Sequence, residues 1–194
     1  MDSDFKENLK QVAKVAIIFI IAVAAYAWWT RPAPMGGDFK LVNSNEQTVT
    51  QADLRAKPSA VFFGYTHCPD ICPTTVFDLA SWLKRLGPKA DKINAWFITV
   101  DPQRDTPQIL HEYLGNVSDK IIGISGDPKI IDKVVKSFGV AAEKREDADG
   151  EYTFDHTASI ILLRKGGRKL GMIPYQQKDS LAIKQLNDLA DSAD

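Results

Sequence analysis

The chain has 194 residues, with 24 Lys and Arg against 25 Asp and Glu and a formal net charge of −1. That length suits one compact domain plus a targeting segment, and 44% apolar with 25% charged residues is an ordinary globular mixture. A charge this near zero gives no basis for nucleic acid as the partner or for broad attraction to acidic lipids.

Near the N-terminus, Val15 to Trp29 is an uninterrupted uncharged run whose one hydroxyl belongs to Tyr26. As a helix it reaches roughly 22 Å, and adding Gln11 to Lys14 brings it to about 28 Å, close to a ~30 Å hydrocarbon core. Lys14 can snorkel to the surface. Tyr26, Trp28 and Trp29 gather at the far end, where an aromatic belt belongs, and Arg31, Pro32 and Pro34 are expected to stop the helix. A cleaved signal peptide is the rival reading, because Ala25-Tyr26-Ala27 resembles a small-x-small cleavage site. Against it, Trp28 and Trp29 would make an odd mature start, and Lys6, Lys10 and Lys14 are mixed with Asp2, Asp4 and Glu7. The acidic residues also argue against a mitochondrial transit peptide. Residues 1–30 are therefore expected to be an uncleaved anchor. The lysines favour a cytoplasmic N-terminus and export of the rest, with Arg31 weakly opposed. The expected location is the bacterial inner membrane, single-pass, with the soluble part in the periplasm.

Residues 31–37 read as a Pro/Gly linker, and the folded domain as 38–194. Within it, Phe39 to Val42 and Thr48 to Thr50 read as short strands around Asn43-Ser44-Asn45-Glu46. Ala60 to Tyr65 is a continuous apolar run, suited to a strand buried on both faces. Pro73 onward reads as a helix with Val76, Leu79, Leu83 and Leu86 on one stripe, stopped at Gly87-Pro88. Then come a strand (Asn94 to Val100), a helix (Thr106 to Leu114), a strand (Ile121 to Ile124) and a helix (Asp127 to Phe138). Glu143 to Glu151 reads as a charged, mobile loop. Ala158 to Leu163 and Lys169 to Ile173 read as a hairpin, and Lys178 to Ala190 as the last helix. This order indicates an α/β layer fold with its parallel strands in the middle of the sheet.

The two cysteines, Cys68 and Cys72, lie in Gly64-Tyr65-Thr66-His67-Cys68-Pro69-Asp70-Ile71-Cys72-Pro73. This segment follows a buried strand and opens a helix. Unpaired N–H groups and the helix dipole there favour thiolate, the form that binds soft metals and attacks disulfides. Pro69 and Pro73 stiffen the loop. Soft thiolates select Cu(I) or zinc, but two sulfurs are too few for a closed zinc site, so a third ligand is wanted. A plain disulfide is the bland alternative, though so short a loop contributes little chain-entropy stability. Among the histidines, His111 sits beside Glu112 in a helix and reads as solvated. His67 adjoins Cys68, and neighbouring side chains in an extended segment point opposite ways. His156, in Phe154-Asp155-His156-Thr157, lies at a strand end, where sites in α/β sheets gather. Spacing alone leaves the choice open.

Three separated blocks, GYTHCPDICPTT, VDPQRDTP and FDHT, in that order, resemble the SCO/SenC family of copper proteins, and the resemblance runs from about Gly36 to the end. It implies a thioredoxin-like fold, a central mixed sheet flanked by helices. It also implies copper, as Cu(I) or Cu(II), bound by Cys68, Cys72 and His156. The function implied is assembly of the copper centre of cytochrome c oxidase subunit II or a similar acceptor, with copper received from a periplasmic donor. Some bacterial relatives instead look like thiol-disulfide reductases, in which Cys68 and Cys72 cycle as a redox pair, so enzymatic activity stays open on the sequence. A peroxidase of related fold is disfavoured, since it needs a single activated cysteine in another setting. One departure from the family pattern is the turn in TASIILLRKGGRKLGMI, which carries lysine and arginine where the family often has aspartate. Asp70, Asp105 and Thr106 read as turn or capping residues. Arg104 is left open between a carboxylate near the metal loop and a partner protein.

Overall fold

The computed structural model describes residues 3–30, 33–146 and 151–193, and the chain divides into two compact units between Ala33 and Pro34. The first is the helix α1 (Ser3–Trp29). Its stretch Glu7–Trp29 is long and apolar enough to cross a membrane. Over Glu7–Trp29 its large apolar side chains, Ile17, Phe19 and Ile21 among them, are exposed, so the helix is apolar all round. Thr30 Oγ1 donates back to the Tyr26 carbonyl at 3.0 Å. Arg31 and Pro32, expected as stops, lie outside the described residues.

The second unit runs β1 (Lys40–Asn43), β2 (Thr48–Thr50), α2 (Gln51–Ala56), β3 (Ser59–Gly64), α3 (Ile71–Leu86), a 3-10 turn (Gly87–Lys92) and β4 (Asn94–Thr99). It continues α4 (Pro107–Gly115), β5 (Ile121–Ser125), α5 (Pro128–Ser137), β6 (Ala142–Glu146), β7 (Tyr152–His156), β8 (Ile160–Leu163), β9 (Lys169–Ile173) and α6 (Asp179–Asp191). Seven strands form one sheet in the order β2-β1-β5-β4-β3-β8-β9, and β6 and β7 form a separate ribbon. β3, β4 and β5 are parallel in the middle, while β1 and β8 run antiparallel to their neighbours. The mixed sheet flanked by helices is the thioredoxin-like arrangement. All six residues of β3 are buried, and Phe62, Phe63, Phe97 and Ile98 anchor the core. Such continuous apolar runs belong to strands covered on both faces.

Three expectations change. The short helix α2 had no counterpart in the apolar pattern: only Leu54 is buried, and the helix starts from a capping box between Thr50 and Asp53. Helix α3 begins at Ile71, not Pro73, because a proline in the first turn gives up no intrahelical bond. The first four residues of the expected mobile loop Glu143 to Glu151 are strand: β6 pairs with β7 from Ala142↔His156 to Glu146↔Tyr152. Residues 147–150 lie outside those described. The linker's distal part is docked on the domain: Met35 N–H donates to the Gly167 carbonyl at 2.8 Å, and Arg55 Nη2 donates to the Met35 and Gly37 carbonyls.

Candidate metal centre

The site is built where β3 ends. Gly64 leads into a loop that turns at Tyr65 (Cys68 N–H to the Tyr65 carbonyl, 3.3 Å) and enters α3. Asp70 occupies the N-cap position but makes no side-chain cap bond. Instead Cys68 Sγ accepts from the Cys72 backbone N–H at 3.4 Å, so a sulfur does the work usually given to an oxygen. Cys72, one turn further on, is fully buried. A Cβ on Gly64 would sit 3.0 Å from Cys72 Sγ and from the rings of Phe62 and Phe97, so the absence of a side chain there makes room for the sulfur.

The ribbon brings His156 to this point across 84 residues of chain: its Nε2 lies 3.2 Å from Cys72 Sγ. Residues Tyr152, Phe154 and His156 alternate with the exposed Thr153 and Asp155 along β7, so they share one face. That face is layered on Tyr65: the Phe154 ring lies 5.6 Å and the His156 ring 5.8 Å from it, and Phe154 N–H donates to the Tyr65 hydroxyl at 3.3 Å. His156 Nδ1 faces the Thr157 carbonyl at 3.3 Å. A carbonyl only accepts, so Nδ1 carries the hydrogen and Nε2 turns its lone pair to the sulfur.

The donor atoms of Cys68, Cys72 and His156 all lie within 4.8 Å of one another. Metal–ligand bonds of ~2.0–2.3 Å put two donors up to ~4.6 Å apart across one ion, so the three need little adjustment to converge. Two sulfurs and an imidazole nitrogen form a soft set that fits Cu(I). Neither cysteine is in a disulfide. His67 and His111 are both exposed and outside the cluster, and His67 Nδ1 pairs with Thr66 Oγ1 at 3.2 Å.

The expectation that the helix N-terminus favours thiolate does not hold at Cys72. Burial pushes that thiol up, and neighbouring Cys68 adds to the rise, outweighing the hydrogen bond with Tyr65. Burial likewise holds the His156 imidazole below its ordinary range. Both shifts favour the uncharged forms, so the Cys72 S–H can donate to the Nε2 lone pair at 3.2 Å, at the place where an ion would bind.

The VDPQRDTP block braces both halves of the site. Asp105, fully buried, accepts from Thr66 N–H at 3.0 Å, Thr66 Oγ1 at 2.5 Å and Thr99 Oγ1 at 2.6 Å. Thr106, not Asp105, caps α4. Buried Asp101 pairs with Arg104 and accepts from the Tyr152 hydroxyl at 3.1 Å. Arg104 lies over the Tyr152 ring at 3.7 Å, and Lys144 Nζ approaches the same ring at 3.9 Å. Arg104 therefore serves the ribbon that carries His156, the first of its two expected uses in kind. The role of Tyr152 was missed on the sequence, although the alternation Tyr152-x-Phe154-x-His156 was there to be read.

The SCO1/SenC family model matches residues 29–191. The chain is 35% identical over 148 residues to the protein SenC of Rhodobacter capsulatus, covering 76% of this chain and 66% of that protein. It is 37% identical over 132 residues to the mitochondrial SCO1 homolog 1 of Arabidopsis thaliana, covering 68% of this chain and 40% of that protein. It thus spans from two fifths to about two thirds of the curated relatives it matches. Among solved structures, ScoI of Bradyrhizobium japonicum with copper bound is 43% identical, with a TM-score of 0.74 over 80% of this chain and 99% of that one.

Proposed function

Because this chain belongs to the SCO1/SenC family, we propose that it is a membrane-anchored copper carrier that serves assembly of the copper centre of cytochrome c oxidase, holding copper through Cys68, Cys72 and His156. The observation that carries this reading is the convergence of two sulfurs and Nε2 within 4.8 Å. The copper-bound ScoI of Bradyrhizobium japonicum supports the choice of metal. Three donors leave the ion open on one side, and the groove there, lined by Tyr65, Cys68, Pro69, Phe154 and His156, gives an incoming ligand access. Transfer then proceeds by ligand exchange, with no turnover of the carrier. Uptake displaces the protons of the Cys68 and Cys72 thiols, and release returns them. Helix α1 fits a single span of the inner membrane with the domain in the periplasm, where a copper donor loads it and oxidase subunit II receives the ion.

The same two free thiols are close enough to cycle through a disulfide, the reading of the chain as a thiol-disulfide oxidoreductase. His156→Ala separates the two. In the full chain it is expected to weaken copper binding strongly while leaving dithiol exchange at Cys68 and Cys72 largely intact. Oxidase assembly that survives His156→Ala would favour thiol exchange over copper carriage.

A further inference from the structure

The turn between β8 and β9 has no part in the metal centre, yet its charge is concentrated. Arg164, Lys165, Arg168 and Lys169 fall within six residues and are all exposed. No carboxylate occurs from Thr157 to Lys178, and none of the four has an ion-pair partner among the described residues. Their backbone is fixed. Arg164 N–H donates to the Arg168 carbonyl at 2.8 Å, Gly167 N–H to the Arg164 carbonyl at 2.9 Å, and Gly166 N–H to the Arg55 carbonyl at 2.9 Å. Gly166 and Gly167 hold φ of +87° and +80°, where a side chain is strained, and a Cβ on Gly167 would lie 2.9 Å from Arg55 Cγ.

Two features of the chain say what this patch faces. First, Met35 is hydrogen-bonded to the turn itself, through the Gly167 carbonyl at 2.8 Å. Only six residue steps separate Met35 from Trp29, the last residue of α1, a tether of at most ~20 Å. Second, β8 runs antiparallel to β3 with Leu163 opposite Ser59. The turn therefore leaves the sheet beside the first residue of β3, whereas Cys68 and Cys72 follow its last, Gly64. The cationic turn and the metal centre lie at opposite ends of the central strand, which at ~3.3 Å per residue is about 17 Å long.

We propose that this turn docks on the anionic phospholipid headgroups of the membrane that α1 spans, holding the metal centre on the side of the domain away from the bilayer. The near-zero charge of the whole chain does not oppose this, because only charges within about a Debye length, ~10 Å, of the lipid surface act on it. The covalent tether favours lipid over an acidic protein, since it limits how far the turn can move from the end of the span and so raises its effective concentration at the headgroups. The inference rests on the anchor proposed above and not on the copper assignment.

The test uses the full chain in lipid nanodiscs of phosphatidylcholine alone or with one part in three phosphatidylglycerol, each containing headgroup-photoreactive lipid, with crosslinks mapped by mass spectrometry. Labelling at residues 164–169 is expected to be about tenfold or more stronger in the anionic discs, and to fall back in high salt. The combined Arg164→Gln, Lys165→Gln, Arg168→Gln and Lys169→Gln variant is expected to lose the difference while binding copper as before, which shows it folded. Equal labelling in both lipids overturns the proposal, as does labelling concentrated at the Cys68 end. Inserted, copper-binding chains with an unlabelled turn refute lipid docking alone. Chains that fail to insert refute the anchor and the docking together.

Discussion

Replacing Asp105 by alanine tests whether a buried carboxylate, and not the loop prolines, holds the cysteine loop in place. The carboxylate accepts three hydrogen bonds, from Thr66 N–H, Thr66 Oγ1 and Thr99 Oγ1, at 2.5 to 3.0 Å. Alanine leaves those donors facing a cavity, at about 1–3 kcal/mol for each that stays unsatisfied. The two hydroxyls can rotate; the Thr66 N–H cannot. A total loss of roughly 3–5 kcal/mol follows, and at ~2–4 °C per kcal/mol the melting temperature should drop by about 10 °C or more. Asp105→Asn keeps the volume and one acceptor oxygen and should cost only about 1–2 kcal/mol. Its pH dependence carries a further sign. Burial holds the Asp105 carboxyl above its ordinary 3.8 in spite of the hydrogen bonds from Thr66 and Thr99. A folded value above the unfolded one means that its contribution is complete below the unfolded value and fades as pH rises through the folded value. The gap between wild type and Asp105→Asn should therefore narrow as pH rises from about 4. Near-ultraviolet circular dichroism of the full chain in detergent, heated at several pH values, reads all of this. A loss under ~3 °C for alanine, or identical melting of the alanine and asparagine variants, would refute the reasoning.

Two further perturbations address the metal centre. Tyr152→Ala removes the hydroxyl bond to Asp101 and the ring contacts with Arg104 and Lys144, together about 2 kcal/mol of support for the ribbon. Competition with a Cu(I) chelator should show up to about thirtyfold weaker binding, with thiol reactivity at Cys68 and Cys72 unchanged. Copper binds both sulfurs as thiolates, so uptake should release two protons and apparent affinity should rise about a hundredfold per pH unit between roughly pH 6 and 8, with burial, which pushes the Cys72 thiol up, on the side of proton release. The His156 imidazole, held low by burial, works on stability with the opposite sign to Asp105. Its contribution is complete above the ordinary value of 6.5 and fades as pH falls through the lower folded value. Melting followed downward from pH 6.5 should show this slope in the wild type and a flatter one in His156→Ala.

The sheet was legible because its central strands are continuous apolar runs: β3, β4 and β8 announce burial on both faces, and a parallel middle follows from the helices between them. The cysteine loop was legible for the same reason, as a cysteine pair at a strand-to-helix junction. The ribbon was not. Every residue of β6 is exposed, so it has no buried face to print a period-2 pattern, and its charges imitate a loop. That hid the element that delivers His156, whose pairing with Cys72 across 84 residues no local pattern encodes; only the family resemblance singled it out. The thiolate expectation at Cys72 failed because a sequence displays the helix end but not the depth of burial that outweighs it. Helix α2 is one and a half turns with a single buried leucine, too short for periodicity, though Thr50 and Asp53 spelled its cap.

X-ray absorption at the copper edge, on the full chain loaded with one equivalent of Cu(I), bears most directly on the metal centre. The expected spectrum has two sulfurs and one imidazole nitrogen around the ion, with the nitrogen shell lost in His156→Ala. A spectrum with sulfur alone, or one that His156→Ala leaves unchanged, would contradict the copper site assigned to Cys68, Cys72 and His156.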